Sequence, residues 1–549
     1  MTPADSPGSA QRRWSAACPN CGATVEFASA ASASAVCSFC RSSLLREGAV
    51  LRKIGLSAEL LEDYSPLQLG AGGRFAGDAF TVLGRLQLGG SSGTWNEWHA
   101  LFDSGKSAWL SEDNGQFVLS FESGLNETPP QSHELVLGDM LVLAGTSWRV
   151  SALTRVKTLA AQGELPRPPA LGAEAWLAEL RNGKDEVGSL DYGAEGGVQW
   201  SLGRPVRFED LALHGLREDK QEAALKARSL ECPSCGAALT PQLAQSKSIV
   251  CGQCQAVVDI SQGQGVDSNA DTSAGLAHYA QEVAGREPQI PLGRVGLIGN
   301  LALSTGAKLP WQVVGYQERC DLPAAGSDDE QTFWREYLLF NKLEGFAFLV
   351  DTEEGWSLVR PLTGSPQGQG ERIEWQGQRF RKRWSYAAKV THVLGEFYWP
   401  VARDQIAQVS DYEAAGGQAG TLLSREQTAD EVTWSLGRKL DAAEVAKAFK
   451  LDASQAGALS RDASSFNTGS QRPMRNIILS LFVLFFIFML VKSCGTSNDD
   501  CQSYKDNFGE ASAEYAQCRR SGGPRIYPGG GGYSGGSYGG SGSSGGGHK

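Results

Sequence analysis

The sequence predicts a mainly β protein with two four-cysteine ribbons and two small β-barrel or meander domains in tandem, with connecting helices and one transmembrane helix. Three observations support this prediction. A cysteine pattern occurs twice, short apolar runs separated by turn residues follow each copy, and one long apolar segment lies near the C-terminus. The 549 residues, 41% apolar and 20% charged, suffice for two or three globular domains.

Each cysteine pattern consists of two C-x2-C pairs separated by fifteen residues. One C-x2-C turn presents two sulfurs, and two such knuckles complete the tetrahedral thiolate set that zinc prefers. We therefore predict zinc ribbons at residues 14–50 and 228–260, each binding one Zn²⁺. A rubredoxin-like iron site would use the same ligands. The predicted ligands are Cys18, Cys21, Cys37 and Cys40 in the first ribbon and Cys232, Cys235, Cys251 and Cys254 in the second.

The charge near the ribbons helps to distinguish a structural zinc staple from a recognition module. Residues 1–55 hold six Arg or Lys against three acids, residues 228–260 hold two of each, and the whole chain carries a net charge of -11. Phosphate binding requires a basic stripe, which neither ribbon shows. Nucleic acid is therefore not the expected partner, and a staple for a small β-fold is the simpler interpretation.

The repeat extends beyond the cysteines into the segments that follow them. A W-x-E-aromatic motif and a W-S-L-G-R motif each occur twice in the same order, at separations of 239 (334 minus 95) and 234 (434 minus 200) residues. This order indicates a tandem duplication, with β-rich units at 56–215 and 291–440 and a polar linker at 261–290. The matched positions are Trp95 with Trp334, Trp200 with Trp434, and the Asp-Tyr pairs at 191–192 with 411–412.

Within the units, apolar runs such as residues 80–83 and 346–350 are divided by Gly, Asp, Asn and Pro, which is typical of a meander or small barrel. Helices are predicted from amphipathic or charged patterns at residues 173–182, 209–228 and 441–449.

The W-x-E-aromatic motif supplies the candidate recognition face. Strand alternation places Trp95 beside Glu97, and Trp334 beside Glu336, on one face in each copy. One interpretation is a tryptophan packed across a half-buried sheet beside a solvated glutamate. The other is a ligand or peptide groove with an aromatic wall and a carboxylate.

Residues 477–491 form the longest apolar segment of the chain and are predicted to be a transmembrane helix, flanked by basic residues that can reach the membrane surface. The N-terminus shows no secretory leader, and zinc thiolates suit a reducing compartment. The expected location is therefore a bacterial inner or plasma membrane, single-pass, with the N-terminal bulk cytosolic and the Gly-rich tail at 492–549 outside. A disulfide between Cys501 and Cys518 is possible there.

The sequence contains no recognisable catalytic motif. The chain lacks a phosphate-binding G-x-x-x-x-G-K-[ST] loop and an H-E-x-x-H helix, and a formal G-x-S-x-G at residues 89–93 lies in a Gly/Ser-rich loop. Cys320, outside both knuckles, is expected to be a buried structural thiol. An enzyme is therefore not the preferred interpretation.

The ribbon, the β-rich unit with its W-x-E motif, the membrane segment and the Gly-rich end together resemble bacterial proteins carrying the domain-of-unknown-function family 4178. Two copies would cover most of residues 56–440, and Trp98 stands where that family has tyrosine. The resemblance implies no particular reaction. It suggests a genomic setting near polyamine and membrane-stress genes.

The function expected from these features is a membrane-anchored zinc-binding scaffold or binding protein whose cytosolic repeats present surfaces to a protein or small ligand. Two alternatives stay open. One is an enzyme of unrecognised type acting on membrane or polyamine-related metabolites. The other is a nucleic-acid-binding regulator tethered to the membrane.

Overall fold

The computed structural model describes residues 14–459, with gaps, and Ala511. The gaps are residues 30–31, 48–49, 57–64, 92, 114–115, 195–196, 218–229, 244–245, 262–275, 282–286, 300–307, 324–330, 343 and 417–419. The predicted transmembrane segment at 477–491 and the cysteines at 501 and 518 lie outside the described residues. No helix in the described part of the chain is long and apolar enough to cross a membrane.

The first copy consists of a ribbon followed by a larger β-unit. The ribbon strands are β1 (Trp14–Ala17), β2 (Thr24–Phe27), β3 (Ser34–Val36), β4 (Ser42–Glu47) and β5 (Val50–Leu56). The strands of the larger unit are β6 (Gly72–Phe75), β7 (Asp78–Gly90), β8 (Gly93–Phe102), β9 (Ser107–Asp113), β10 (Gln116–Glu122), β11 (Met140–Leu143), β12 (Thr146–Leu165), β13 (Glu174–Arg181), β14 (Val187–Asp191) and β15 (Gln199–Val206). Two 3-10 turns lie at Ser132–Glu134 and Phe208–Leu211.

The second copy repeats this order. Its ribbon strands are β16 (Leu230–Glu231), β17 (Ala238–Leu239), β18 (Ser248–Val250), β19 (Val257–Asp259) and β20 (His278–Tyr279). The larger unit contains β21 (Val295–Gly299), β22 (Lys308–Leu322), β23 (Phe333–Asn341), β24 (Gly345–Thr352), β25 (Gly355–Leu362), β26 (Gln367–Gln369), β27 (Arg372–Trp375), β28 (Gln378–Phe397), β29 (Ile406–Ala414), β30 (Thr421–Gln427) and β31 (Val432–Leu440).

Each larger unit is a closed barrel. In the first copy the antiparallel order is β12-β13-β14-β15-β10-β9-β8-β7, and β7 pairs again with β12. In the second copy the order is β28-β29-β30-β31-β25-β24-β23-β22, and β22 pairs again with β28. Eight strands that return to the first leave no open edge in the ring and enclose an interior that side chains fill. The prediction of a mainly β protein is confirmed. Of the two predicted domain forms, barrel or meander, the barrel is observed in both copies.

The ribbons are continuous with the barrel sheets. The long strand β12 pairs with β13 over one part of its length and with ribbon strand β3 near its end, at Gly163 to Leu165. Its counterpart β28 pairs with β29 and then with β18. The segment predicted as a linker contributes β20, which pairs with ribbon strand β19. Each ribbon therefore extends the sheet of its own barrel.

The helix predicted at residues 173–182 is wrong, because this segment is strand β13. Its sequence favours a helix, yet Leu177, Ala178, Glu179 and Leu180 are all buried in succession. Consecutive burial is possible on a barrel strand, whose inner and outer faces are both covered here, and tertiary pairing with β12 and β14 outweighs local propensity.

The helix predicted at residues 209–228 is also wrong in its described part. The 3-10 turn ends at Leu211, the next residue, Ala212, adopts a left-handed conformation, and His214 bridges to Gly72. The third prediction, at 441–449, is confirmed as α1 (Ala442–Ala448), with Asp441 at its N-cap position. It is followed by α2 (Ala453–Leu459).

The helices therefore do not connect the copies, because within the described residues both α-helices follow the second barrel. They pack on its outer face. The Trp356 indole N–H donates to the carbonyl of Leu459, and Val445 and Phe449 are buried in the same apolar cluster as Tyr337.

The duplicated motifs occupy equivalent strands, with one exception. The W-x-E motifs lie on β8 and β23, and the W-S-L-G-R motifs on β15 and β31. The Asp-Tyr match is wrong, since Asp191 ends β14 whereas Asp411 lies within β29. By strand register, Asp411 corresponds to Glu179. Each of these acids pairs with a serine on the next strand of its barrel, and that serine pairs with the serine of the W-S-L-G-R motif.

Candidate metal centres

The first centre brings four sulfurs together at the ends of two hairpin turns. Cys18 Sγ lies 3.6 Å from Cys40 Sγ, and Cys21 Sγ lies 3.7 Å from Cys37 Sγ. All four sulfurs lie within 4.8 Å of one another. A disulfide needs about 2.05 Å between sulfurs, so these are separate thiols. Thiolates bound to zinc at about 2.3 Å in a tetrahedron would be about 3.8 Å apart, and the group fits such an ion.

The second centre repeats this geometry with the equivalent cysteines. Cys232 Sγ lies 3.7 Å from Cys254 Sγ, and Cys235 Sγ lies 3.7 Å from Cys251 Sγ. In both centres the first cysteine of each knuckle is buried, while Cys21 and Cys235 are exposed. In the described part of the chain, these are the two groups of His, Cys, Asp or Glu side chains placed to hold a metal ion.

The knuckle turns are closed by backbone hydrogen bonds and by a left-handed residue. The Gly22 N–H donates to the carbonyl of Cys18, and the Gly236 N–H donates to that of Cys232, both at 2.8 Å. Gly22 and Gly236 have φ values of 77° and 75°. This left-handed conformation favours glycine and accounts for the G that follows each C-P-x-C.

The thiols of the first centre have shifted pKa values in both directions: the pKa of Cys21 is raised to about 12, and that of Cys40 is lowered. The Cys40 sulfur and the Ser42 hydroxyl are 3.2 Å apart, and this hydrogen bond lowers the pKa of the Cys40 thiol to about 5. A thiol with a low pKa is ready to act as a metal ligand, because zinc binds the thiolate.

A buried glutamate fastens each ribbon to its barrel. Glu164 accepts hydrogen bonds from the Ala28 N–H at 2.6 Å and the Ser29 N–H at 3.2 Å. These donors lie in the first ribbon, between β2 and β3. A carboxylate that accepts two backbone N–H bonds provides a charge-assisted connection that a neutral acceptor provides less strongly. Glu164 thus links ribbon and barrel at the end of β12.

Glu396 has the same role in the second copy. It accepts from the Gln242 N–H at 2.8 Å, the Leu243 N–H at 3.1 Å and the Ser246 hydroxyl at 2.5 Å. Burial raises the pKa of the Glu396 carboxyl, and these donors oppose the rise. We call Glu164 and Glu396 the ribbon latches.

A glycine before each latch allows the strands to approach. Gly163 and Gly395 have φ values of 71° and 86°. A Cβ at Gly163 would lie 2.2 Å from the Leu83 carbonyl oxygen, and one at Gly395 would lie 2.3 Å from the Val314 carbonyl oxygen. Any other residue would therefore clash as well as strain the backbone.

Sequence reasoning missed the latches, although a signal was present. Both are part of a G-E-apolar-x-x-P motif, at residues 163–168 and 395–400. The copies of this motif are 232 residues apart (396 minus 164), close to the separations of the tryptophan motifs. A self-comparison of the sequence that aligned the two glycine–glutamate pairs could have detected it.

Replacing Glu396 with alanine is expected to loosen the second ribbon while its metal is retained. The variant leaves two backbone N–H groups, that of buried Leu243 and that of Gln242, without their charged acceptor, a loss of about 1.5–3 kcal/mol. The measurement is amide exchange of Gln242 and Leu243, which should become faster, together with metal content, which should not change. Glu374→Ala, at an exposed position on β27, is the control. Unchanged exchange in Glu396→Ala would contradict the latch.

The predicted recognition residues lie inside the barrels. Trp95, Glu97, Trp334 and Glu336 are all buried. In each copy the indole N–H donates to the glutamate two residues later, from Trp95 to Glu97 at 3.0 Å and from Trp334 to Glu336 at 2.7 Å. The interpretation with a solvated glutamate is therefore wrong, and the two residues of each pair contact each other in the barrel interior.

The surroundings of this Trp–Glu pair differ between the copies. In the first barrel the Ser111 hydroxyl also donates to Glu97 at 2.7 Å, and Leu86 and Leu88 lie opposite Glu97 and Trp95 on β7. In the second barrel the positions opposite Glu336 and Trp334 on β22 are Gln317 and Arg319. The second copy thus places a guanidinium where the first has leucine.

Arg319 connects two acidic side chains in this interior. Its guanidinium lies 3.3 Å from Glu336 Oε1 and 3.0 Å from Glu426 Oε1, and all three side chains are at most 3% exposed. Nearby, Asp411 accepts from the Tyr386 hydroxyl at 2.8 Å and from the Ser424 hydroxyl at 2.7 Å. No single motif predicted this cluster, because its members come from five strands. Cys320 is buried, as expected for a structural thiol.

Comparison with known proteins gives one match. A family model described as a domain of unknown function (DUF4178) matches residues 68–208 and 307–442, about half of the chain. The two matched regions coincide with the two barrels. No curated protein and no solved structure shows significant similarity to this chain.

Proposed function

Because this chain belongs to the DUF4178 family and carries two copies of its domain, we propose that it is a zinc-stapled binding scaffold at a bacterial membrane. In this proposal the barrels are the rigid framework, the ribbons are the modules fastened to it, and the first ribbon presents the surface that a protein partner contacts.

The exposed apolar tip of the first ribbon is the observation that carries the proposal. Phe39, in the second knuckle, is 80% exposed. The same knuckle position in the second ribbon holds Gln253. Exposed aromatic side chains beside an ordered backbone are typical of contact residues in protein interfaces.

The neighbouring strand β5 supports this interpretation. It ends the sheet order of the first copy, and its exposed side chains include Val50, Ile54 and Leu56. Arg52 and Lys53 interrupt these apolar residues, as charges commonly do on strand edges that must not aggregate. A partner that covers Phe39 could therefore also contact this edge.

Zinc is the metal that we propose for both centres. The sulfur separations fit tetrahedral thiolate coordination, and the small ribbons need a staple because each buries only a small apolar cluster. Iron would use the same four ligands, and its visible absorption would distinguish it from zinc.

The membrane part of the proposal depends on the apolar segment at residues 477–491. A chain anchored there would hold the thiolate-bearing bulk in the reducing cytosol, with the Gly-rich tail on the opposite side. The scaffold would then concentrate its partner at the membrane surface.

A photo-crosslinking residue in place of Phe39 is expected to capture one protein partner in native membranes at a stoichiometry near one to one. The physical reason is that an exposed ring at an interface becomes buried on binding. The measurement is crosslinking on the full chain, followed by mass spectrometry of the adduct.

The matched control is the same photo-crosslinking residue at Gln253, the equivalent position of the second ribbon, which should not form this adduct. Phe39→Ser should abolish co-purification of the partner without loss of bound metal. Identical adducts from both positions would contradict a specific surface on the first ribbon.

A further inference from the structure

The interior of the second barrel holds more acidic than basic charge. Three carboxylic residues, Glu336, Glu426 and Asp411, are at most 2% exposed, and the guanidinium of Arg319 lies between the two glutamates. If all three acids were ionised, the cluster would carry two uncompensated negative charges away from water. Buried charge without a partner is strongly unfavourable, so the folded state favours protonation.

The other groups that face this cluster do not supply the missing positive charge. Tyr386 on β28, Ser424 on β30, and Gln317 and Trp334 on β22 and β23 are neutral donors. Lys439 on β31 lies 3.2 Å from Glu413 and 3.8 Å from Glu354, so its charge is balanced by two other carboxylates.

The pKa values agree with this geometry. Burial raises the pKa of Asp411 to about 8, against the opposing hydrogen bonds from Ser424 and Tyr386. Burial also raises the pKa of Glu336 to about 7, with Arg319 opposing the rise and Glu426 adding to it. The pKa of Glu426 is raised by burial too, although Arg319 lowers it.

We propose that the second barrel is a proton-operated switch, in which protonation of buried Glu336, Glu426 and Asp411 removes uncompensated charge from a network of five strands and loss of these protons loosens the barrel. The strands are β22, β23, β28, β29 and β30, each of which contributes a side chain to the network. The first barrel lacks the equivalent arginine, since Leu88 occupies that position.

The direction of the effect follows from proton linkage. In the unfolded chain these acids have pKa values near 4, and in the folded barrel the pKa values of Glu336 and Asp411 are higher. The folded state then binds more protons than the unfolded state. The contribution of these acids to the stability of the folded barrel is fully present below about pH 4. It is lost as the pH rises from there through the folded-state pKa values of about 7 and 8.

The test is amide exchange of the β23 and β29 peptides in the full chain between pH 5 and 8, corrected for intrinsic exchange chemistry. Local readout is needed because burial also raises the pKa of Glu112, Glu396 and Glu431 elsewhere. The opening equilibrium should increase by up to roughly tenfold per pH unit for each retained proton.

Asp411→Asn and Glu336→Gln should each reduce the slope of the opening equilibrium against pH by the contribution of one proton. The double variant should remove most of that slope. Glu374→Gln, exposed on β27, should leave the wild-type slope unchanged. If Asp411→Asn does not fold, Glu336→Gln alone must still reduce the slope. A double variant with the wild-type slope would overturn the proposal.

Discussion

Replacing Cys251 with serine is expected to lower the metal content of the full chain from two ions to one and to unfold the second ribbon. Cys251 is buried in the ribbon core, and its sulfur is one of four that converge on one point. Structural zinc supplies roughly 10–16 kcal/mol of apparent folding free energy to small modules. The ribbon core is small, so no other interaction within it replaces this contribution.

The effect should reach the second barrel. Leu243 and Val257 of the ribbon belong to the same apolar cluster as Trp399, so unfolding of the ribbon would expose that tryptophan to water. The measurements are elemental analysis and tryptophan fluorescence, which should shift to the red. Cys320→Ser is the control, because it changes a buried thiol outside the centres. A Cys251→Ser protein that retained two zinc ions would contradict the assignment.

Replacing Arg319 with methionine is expected to destabilise the second barrel by about 3–5 kcal/mol, because it leaves Glu336 and Glu426 buried without their shared cation. The measurement is the opening free energy of the β23 peptide by amide exchange at pH 7. Arg372→Met, on the exposed face of β27, should have little effect.

A compensating variant separates lost charge from lost packing. Arg319→Met combined with Glu336→Gln and Glu426→Gln removes the ionisable groups together and should recover part of the stability, as buried ion clusters replaced as a unit often do. The first barrel is a natural precedent, since it has leucine opposite its own Trp–Glu pair. A triple variant less stable than the single one would show that Arg319 acts mainly through packing.

Local patterns in the sequence predicted much of this structure. The spacing of the cysteines predicted both metal centres, because a C-x2-C knuckle depends on a few adjacent residues. The repeated tryptophan motifs predicted the duplication, and they occupy equivalent strands. The helix at 441–449 was predictable because its acidic cap and apolar face are local signals.

Other predictions failed where long-range pairing decides. Residues 173–182 have a helical pattern, but they complete a barrel between β12 and β14. The burial of Glu97 and Glu336 was also missed. Alternation shows which side chains share a face of a strand, yet it does not show which face closes inward.

The sequence by itself determined the eight predicted metal ligands, the duplication and the mainly β class, because each is encoded in nearby residues or in their repetition. Only the tertiary structure decided that the sheets close, that Glu164 and Glu396 fasten the ribbons, and that Arg319 joins acids from distant strands. The physical reason is that a closed barrel brings together residues up to about a hundred positions apart, and their charges interact strongly once water is excluded.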